Sequence, residues 1–457
     1  MFGQAPQWVL SNGVPIADAL VLSHPEQCDR LRAACPEAAP TAVLAGDPCF
    51  DRVLAARPYR ERFRRALGVG AGQRLIVLNS TWNPESFFGD GDTEGDDLLP
   101  ALLPRLAREF PVDEYRFAAV LHPNIWHGHG PGQVRAWLDR ARRCGLVLID
   151  PLEGWRQALV AADALVGDHG SVTFYAAALG TPVLLAAAPL HELDPDAPIS
   201  DFMREAPQLD PRASLREQID RLVDHHRPLI GPAEYTTSVP GEAAVRLRTL
   251  FYSMMGVPEP EWAASLEPLP LPGHEPVSVT VPLQVLTRVL RPGEISVTRW
   301  AGAPPATECL DGELHVAVHE DTRDVDRLGL ADVIFRDGRA DDPRFGSPAV
   351  WTAEVLQRHP GCALAAFAVG PHECVVRVRG GALLRLTSGP GEGSGPEAVV
   401  DPGAAASALH ALLGAVSGGG TRTPTAQRLA ELVDVGGFSV RIGSRSGRVG
   451  VVGLPVG

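Results

Sequence analysis

Between residues 46 and 255 the chain alternates apolar runs of strand length with helical segments. This alternation restricts the fold more than any other feature. Residues 74–80 (RLIVLNS), 116–123 (RFAAVLHP), 146–150 (LVLID), 162–168 (ADALVGD) and 182–188 (PVLLAAA) read as strands. Residues 98–110, 133–144, 154–162, 171–179 and 242–255 read as helices, and in the second of these Val134, Trp137, Leu138 and Ala141 share one face. Strands and helices in alternation at short connections imply βαβ units and a parallel sheet. The expected fold class is therefore α/β, with one Rossmann-like domain over 46–256.

The flanks read differently. Residues 1–45 hold a short apolar stretch at 19–22 and a short helix at 26–34, too little for a domain of their own. Residues 257–276 (VPEPEWAASLEPLPLPGHEP) contain six prolines and read as a semi-rigid linker. Residues 277–457 read as a separate, smaller α+β domain. Its strand-like runs are LHVAVHE, DVIFRD, ALAAFAV, CVVRVRG and ALLRLTS, with helices near 349–358, 404–416 and 425–433 and Gly- and Ser-rich loops at 389–396 and 417–420. It carries no internal repeat and no motif with evident chemistry.

Composition excludes several functions. A formal net charge of −14 argues against a general nucleic-acid binder, which needs a basic surface. The sequence contains no lysine, so all 41 cationic side chains are arginines, which rules out a Schiff-base lysine and a P-loop. The seven cysteines are irregularly spaced without a CxxC, so a disulfide framework or zinc knuckle is not expected, and a reducing cytoplasm is. No apolar run approaches the ~20 residues of a membrane helix, leaving only peripheral membrane contact open.

Four segments at the ends of predicted strands carry candidate chemistry. The first is Val166-Gly167-Asp168-His169-Gly170-Ser171-Val172, at a strand-to-helix junction. In open parallel sheets ligands bind beyond the carboxyl ends of the strands. A helix N-terminus offers free N–H groups to an anion. Gly170 would let a phosphate approach the backbone, and Ser171 adds a hydroxyl. A simple helix cap by Asp168 or Ser171 explains the same residue types equally well. The second segment, Leu121 to His129, holds His122, His127 and His129 in Gly-Pro surroundings that suggest an irregular loop. A metal site is disfavoured, because no carboxylate or cysteine shares the cluster; His122 suits donation to a phosphate or leaving group. The third, Asn79-Ser80-Thr81-Trp82-Asn83-Pro84-Glu85, places small polar residues after a buried strand. In the fourth, Glu153 could accept from a ribose or base while Trp155 stacks, or Glu153 could simply stabilise the helix that follows. Together they describe a rim suited to a nucleotide-like ligand.

In order along the chain these residues resemble two related groups, the CDP-glycerol glycerophosphotransferases of teichoic acid synthesis and the UDP-N-acetylglucosamine 2-epimerases. Gly46-Asp47-Pro48-Cys49-Phe50-Asp51 resembles the G-x-P-x-x-D element that opens their C-terminal domain. LIVLNSTW (75–82) resembles the transferases' strand ending in P-T-W/F-R, and Leu121-His122-Pro123 resembles their H-P. GDHGSVTFYAAALGTP (167–182) resembles their T-D-Y-S-S…G-K-P. Asp168, Ser171, Gly180, Pro182 and His122 match residue by residue. Gly170 replaces a serine, Tyr175 stands where those families carry a carboxylate, and Asn83 stands where the transferases have a basic residue. The resemblance covers about half of the chain.

It implies the C-terminal half of a GT-B fold, with 1–45 a remnant of the N-terminal half. It also implies a glycosyl- or glycerophosphotransferase-like protein for a nucleotide-diphosphate-activated donor of the CDP-glycerol or UDP-sugar class, with an unknown acceptor and no cofactor or metal. His122 would stabilise charge on the leaving group, and Asp168 would orient His169 or the loop. Ser80, Thr81, Glu153, His169, Gly170, Ser171 and Val172 would line the donor. A catalytically silent binding or scaffold protein, and an epimerase or hydrolase acting on a nucleotide sugar, are the alternatives.

Overall fold

The computed structural model describes residues 4–89, 97–273, 279–304, 311–390, 399–414 and 425–455. The N-terminal segment begins with a hairpin, β1 (Leu10–Ser11) and β2 (Val14–Pro15), turned at Asn12-Gly13, both at positive φ. A small βαβ unit follows. In it β3 (Leu20–Leu22) pairs in parallel with β4 (Ala42–Leu44) across the helix Pro25–Ala34, and Leu22, Leu31, Cys35 and Ala38 form its core.

The predicted parallel sheet is present. It contains β5 (Arg74–Ser80), β6 (Tyr115–Leu121), β7 (Val147–Leu148), β8 (Ala164–Gly167) and β9 (Val183–Leu185). Every pairing is parallel and the spatial order is β7-β6-β5-β8-β9. The chain therefore winds outward from β5 in one direction, then returns to place β8 on its other side. That reversal creates a crevice at the carboxyl ends of β5 and β8, where ligands bind in such sheets. Strand residues alternate between the two faces. Leu75 and Val77 meet Leu159, Ala176 and Phe202, whereas Ile76 and Leu78 meet Leu99, Leu102 and Leu106. The segment read as one helix over 133–144 is two, Pro131–Trp137 and Asp139–Arg143. The proline-rich segment has no regular secondary structure through residue 273 and is strapped to the α/β unit. Gln157 Nε2 donates to the Pro270 carbonyl (2.8 Å), Arg52 Nε donates to the Glu267 carbonyl (2.7 Å), and Leu269 packs on the core.

The C-terminal unit corrects the α+β expectation: its strands close into a nine-stranded barrel. These are β10 (Leu283–Arg291), β11 (Glu294–Trp300), β12 (Glu313–His319), β13 (Val333–Asp337), β14 (Leu364–Gly370), β15 (Glu373–Val378), β16 (Leu383–Pro390), β17 (Gly437–Ile442) and β18 (Arg445–Leu454). The order around the barrel is β10-β11-β17-β18-β16-β15-β14-β13-β12. Closure removes the unpaired edges of an open sheet. The helix Pro402–Gly414 packs against β10 through β16 and shares one core with inward residues such as Val285, Val297, Leu364 and Val440. It fills the barrel. Its run of alanines, buried on all sides, suits a narrow interior. The helix Pro348–Arg358 lies outside, where Trp351 and Val355 meet Ile334, Ala365 and Phe367. The stretches 391–396 and 417–420, read as loops, lie outside the described residues; Gly389 and Pro390 belong to β16.

The barrel docks under the sheet, at the amino ends of its strands. Arg299 of β11 meets Asp113, just before β6, through two hydrogen bonds of 2.8 and 2.5 Å. Val112 N donates to the Arg299 carbonyl (2.9 Å) and Thr280 N to that of Arg143 (3.0 Å). The crevice at the carboxyl ends faces the other way.

Candidate functional site

Asp168 organises the rim. It directly follows β8, is fully buried, and accepts four hydrogen bonds. Its Oδ2 takes Ser80 Oγ (3.1 Å), Thr81 N (2.9 Å) and Phe87 N (2.9 Å), and its Oδ1 takes Gly170 N (3.1 Å). Asp168 thus folds the segment after β5 back against the segment after β8. Ser80 extends the clamp, because its Oγ also accepts from Phe88 N (2.8 Å). Asn79 Nδ2 donates to Thr173 Oγ1 (3.0 Å), tying the end of β5 to the helix Ser171–Ala178.

The same geometry gives Gly170 a structural reason of its own. A Cβ there would lie 3.1 Å from Asp168 Oδ1 and 3.4 Å from Thr81 Cβ, so glycine serves the clamp itself. The helix Ser171–Ala178 begins with Gly170 as its N-cap, and no side chain caps it. Thr173 N and Phe174 N turn back to the Gly170 carbonyl, which leaves Ser171 N and Val172 N as the outermost donors, beside the exposed Ser171 hydroxyl.

His122 follows β6, joined to β5 by its own N–H to the Ser80 carbonyl (3.0 Å). The segment after it is a helix, Pro123–His129, rather than an irregular loop. Pro123 suits a first helical position, and His122 caps the helix with Nδ1 accepting from Asn124 N (3.1 Å). An accepting Nδ1 puts the proton of the neutral ring on Nε2. Burial pushes the His122 pKa below the ordinary imidazole value, against the pull of Asp168. At neutral pH the residue is therefore a neutral Nε2–H donor at the rim, with Trp82 nearby at 6.3 Å between ring centroids. His127 and His129 lie on the exposed side of their helix, and His129 packs edge-on against Trp137.

His169 is the other imidazole of the crevice. Its Nδ1 is buried with no hydrogen-bond partner among the described residues, and burial lowers its pKa, opposed by Asp168, Glu85 and Glu192. Asn83 Oδ1 is likewise buried and unpaired. Two unsatisfied polar atoms beside one crevice are what a polar ligand would satisfy.

Glu153 is exposed, and its N–H, like that of Leu152, is held by Asp150 Oδ1 (3.1 and 2.9 Å). Two residues further on, Trp155 starts a column of rings. Arg156 lies over Trp155 (4.4 Å), Trp155 stacks on Tyr175 (6.1 Å between centroids), and Tyr175 stacks on Phe50 (5.8 Å). The Tyr175 hydroxyl donates to Asp47 Oδ2 (2.5 Å), while Asp47 Oδ1 caps the helix Pro48–Ala56 through Phe50 N (2.9 Å). Burial and the Asp47 charge push the Tyr175 pKa up. A carboxylate thus lies beside position 175 after all, supplied from 128 residues upstream, a pairing with no local signal in the chain. Among the described residues, no group of three or more His, Cys, Asp or Glu is placed to hold a metal ion, and no helix is long and apolar enough to cross a membrane.

Neither a protein-family model nor a curated protein matches the chain. Solved structures match about half of it. The wall teichoic acid polymerase TagF, in a form soaked with CDPG, is similar over 52% of this chain and 57% of its own, at 17% identity and a TM-score of 0.38. A UDP-GlcNAc 2-epimerase from Neisseria meningitidis bound to UDP-GlcNAc is similar over 52% and 61%, at 13% identity and a TM-score of 0.32. Anabaena Alr3699/HepE in complex with UDP-glucose is similar over 53% and 64%, at 13% identity and a TM-score of 0.30. This chain spans less than two thirds of the length of each.

Proposed function

We propose that the α/β unit is the donor-binding half of a glycosyl- or glycerophosphotransferase-like protein. Its ligand is an activated donor built on a nucleoside diphosphate, of the CDP-glycerol or UDP-sugar class. One observation carries this reading: the crevice between β5 and β8 joins an uncapped helix N-terminus to two imidazoles, one with a proton to give and one with an unpaired buried nitrogen. Backbone donors and the helix dipole at Ser171 and Val172 suit a diphosphate. His122 Nε2–H reaches the oxygen on which negative charge grows as the donor bond breaks, and a fixed donor there lowers the barrier electrostatically. Asp168 positions; its oxygens are engaged by four donors, so it does not serve as the base.

Calorimetry with CDP-glycerol, UDP-N-acetylglucosamine and the bare nucleoside diphosphates tests the reading. Saturable 1:1 binding that weakens in His122→Ala supports it; affinity unchanged by that substitution overturns the site. A second reading, binding without turnover, is favoured by the engaged state of Asp168. It holds if nucleotides bind but neither transfer nor hydrolysis of the donor is detected.

A further inference from the structure

The docking of barrel and sheet leaves a second cavity, on the side of the sheet away from the crevice. It encloses about 690 Å3 and opens at the barrel end that faces Ala71, Gln73 and Asp113. Its walls combine apolar residues, among them Leu283, Phe335 and Ile442, with four arginines: Arg116, Arg299, Arg336 and Arg445. Three of these have close partners within the protein. Arg299 lies between Asp113 and Asp401 (2.5 and 2.7 Å). Arg336 meets Glu320 (2.5 Å), although its Nε has no acceptor among the described residues, and Arg445 donates to the carbonyls of Ala71 and Asp113. The nearby carboxylate of Asp337 is held by His319 Nε2 (3.0 Å). The N-terminus of the core helix is already capped, with Gly403 N and Ala404 N donating to Asp401.

Arg116 is different. Its guanidinium makes one contact, at 3.3 Å, to the Gly145 carbonyl, and its Nε is buried without an acceptor. No carboxylate forms an ion pair with it among the described residues; burial lowers its pKa, and the charges of Asp113 and Asp401 oppose that only from a distance. An arriving anion would supply the direct partner that those carboxylates do not. Barrel mouths and domain interfaces are favoured ligand sites, and the cavity has the volume of a small-molecule pocket.

We propose that this cavity is a second binding site, for a small molecule carrying one carboxylate or phosphate group on an apolar body, with Arg116 holding the charged group. The site is separate from the crevice. Arg116 lies near the start of β6 and His122 just past its end, about 20 Å apart at the rise of an extended strand.

The test uses the full chain, with benzoate and phenyl phosphate as probes against chloride at matched ionic strength, read by calorimetry and thermal unfolding. Saturable 1:1 binding of at least one probe is expected, and which one binds separates carboxylate from phosphate. Arg116→Gln should weaken that binding at least tenfold. His122→Ala should leave it intact. Gly370→Leu projects into the cavity, since a Cβ at Gly370 meets nothing within 4 Å; it should weaken binding of the probe. No binding by either probe, equal binding in Arg116→Gln, or loss in His122→Ala overturns the proposal. If Arg116→Gln does not fold, Gly370→Leu decides, and undiminished affinity there overturns it.

Discussion

The two halves of the molecule dispose of their polar groups in opposite ways. The barrel closes its sheet and fills the interior with an alanine-rich helix, so almost every inward position is a packing position. The parallel sheet is open, and its strands end in polar segments that must find partners among themselves. At the rim one carboxylate does most of that work, and it still leaves His169 Nδ1 and Asn83 Oδ1 unpaired. Chemistry therefore concentrates where an open sheet stops. In the barrel the unpaired polar atoms, such as His315 Nε2 and Ser407 Oγ, are buried among packing positions rather than gathered at strand ends. The difference is topological: a closed sheet keeps its polar backbone paired all the way round, whereas a reversal of winding direction leaves a gap that no strand covers.

The largest expected effect tests the rim's dependence on that one carboxylate. Asp168→Ala strips the partner from the buried N–H groups of Thr81, Phe87 and Gly170. At ~1–3 kcal/mol for each unsatisfied donor, we expect a loss of about 3 kcal/mol or more by urea denaturation, together with loss of nucleotide binding. A small change in stability would mean that the rim is held by the sheet alone.

Acid should discriminate against the barrel. His315, inward-facing on β12, packs on His410 of the core helix at 4.6 Å between centroids, and its Nε2 has no partner. Burial, with the His410 charge adding to it, lowers the His315 pKa to about 3. A folded-state value below the unfolded one means that the unfolded chain takes up the proton first. Stability is thus fully present above the unfolded value near 6.5 and is lost as pH falls from there toward 3, at up to about 1.4 kcal/mol per pH unit. His315→Leu should flatten that slope in a pH series of denaturation midpoints, leaving the smaller contribution of His410, which is lowered as well. An unchanged slope would place the acid sensitivity elsewhere.

Overpacking sharpens the contrast further. Ala405→Leu puts extra volume on the helix inside the barrel, at a fully buried position. A cost of about 1–3 kcal/mol is expected, with nucleotide affinity at the distant crevice unchanged. His122→Ala should do the reverse. The imidazole is half-buried, and the one hydrogen bond its ring accepts among the described residues, from Asn124 N, caps a short helix. Thermal stability should move little, whereas the lost donor to a charged oxygen is worth roughly 1.5–3 kcal/mol, at least a tenfold fall in nucleotide affinity by calorimetry.

How much of this was legible beforehand follows the same division. The parallel strands announced themselves as uninterrupted apolar runs, as strands buried on both faces do. The barrel strands LQVLTRVLR, EISVTRW, GFSVRI and RSGRVGVVGL mix arginine, glycine and polar residues with their inward valines and isoleucines. They lack that signature, and without them the unit read as α+β. The helix after Pro402 was visible as a helix, but its place inside the barrel was not, although a helix with no polar face is a sign of full burial. At the rim, strand ends could be located from sequence because each follows an apolar run. The clamp could not, since Asp168 reaches Thr81 and Phe87 across more than 80 residues of chain. Asp47 and Tyr175 meet across 128.

The smallest effect separates a helix N-terminus that binds from one that is merely uncapped. Ser171 is exposed, and Gly170, not Ser171, is the N-cap, so its hydroxyl does nothing for the helix. Were it a cap, Ser171→Ala would cost stability, typically ~1 kcal/mol. If instead it donates to a diphosphate, stability stays the same and affinity falls by about 1 kcal/mol, roughly fivefold. Measuring both quantities on the one variant distinguishes the cases, because a capping role moves the denaturation midpoint and a ligand role moves only the calorimetric affinity. A change in neither leaves the backbone N–H groups of Ser171 and Val172 as the whole of the anion site, and the resemblance at this serine loses its functional content.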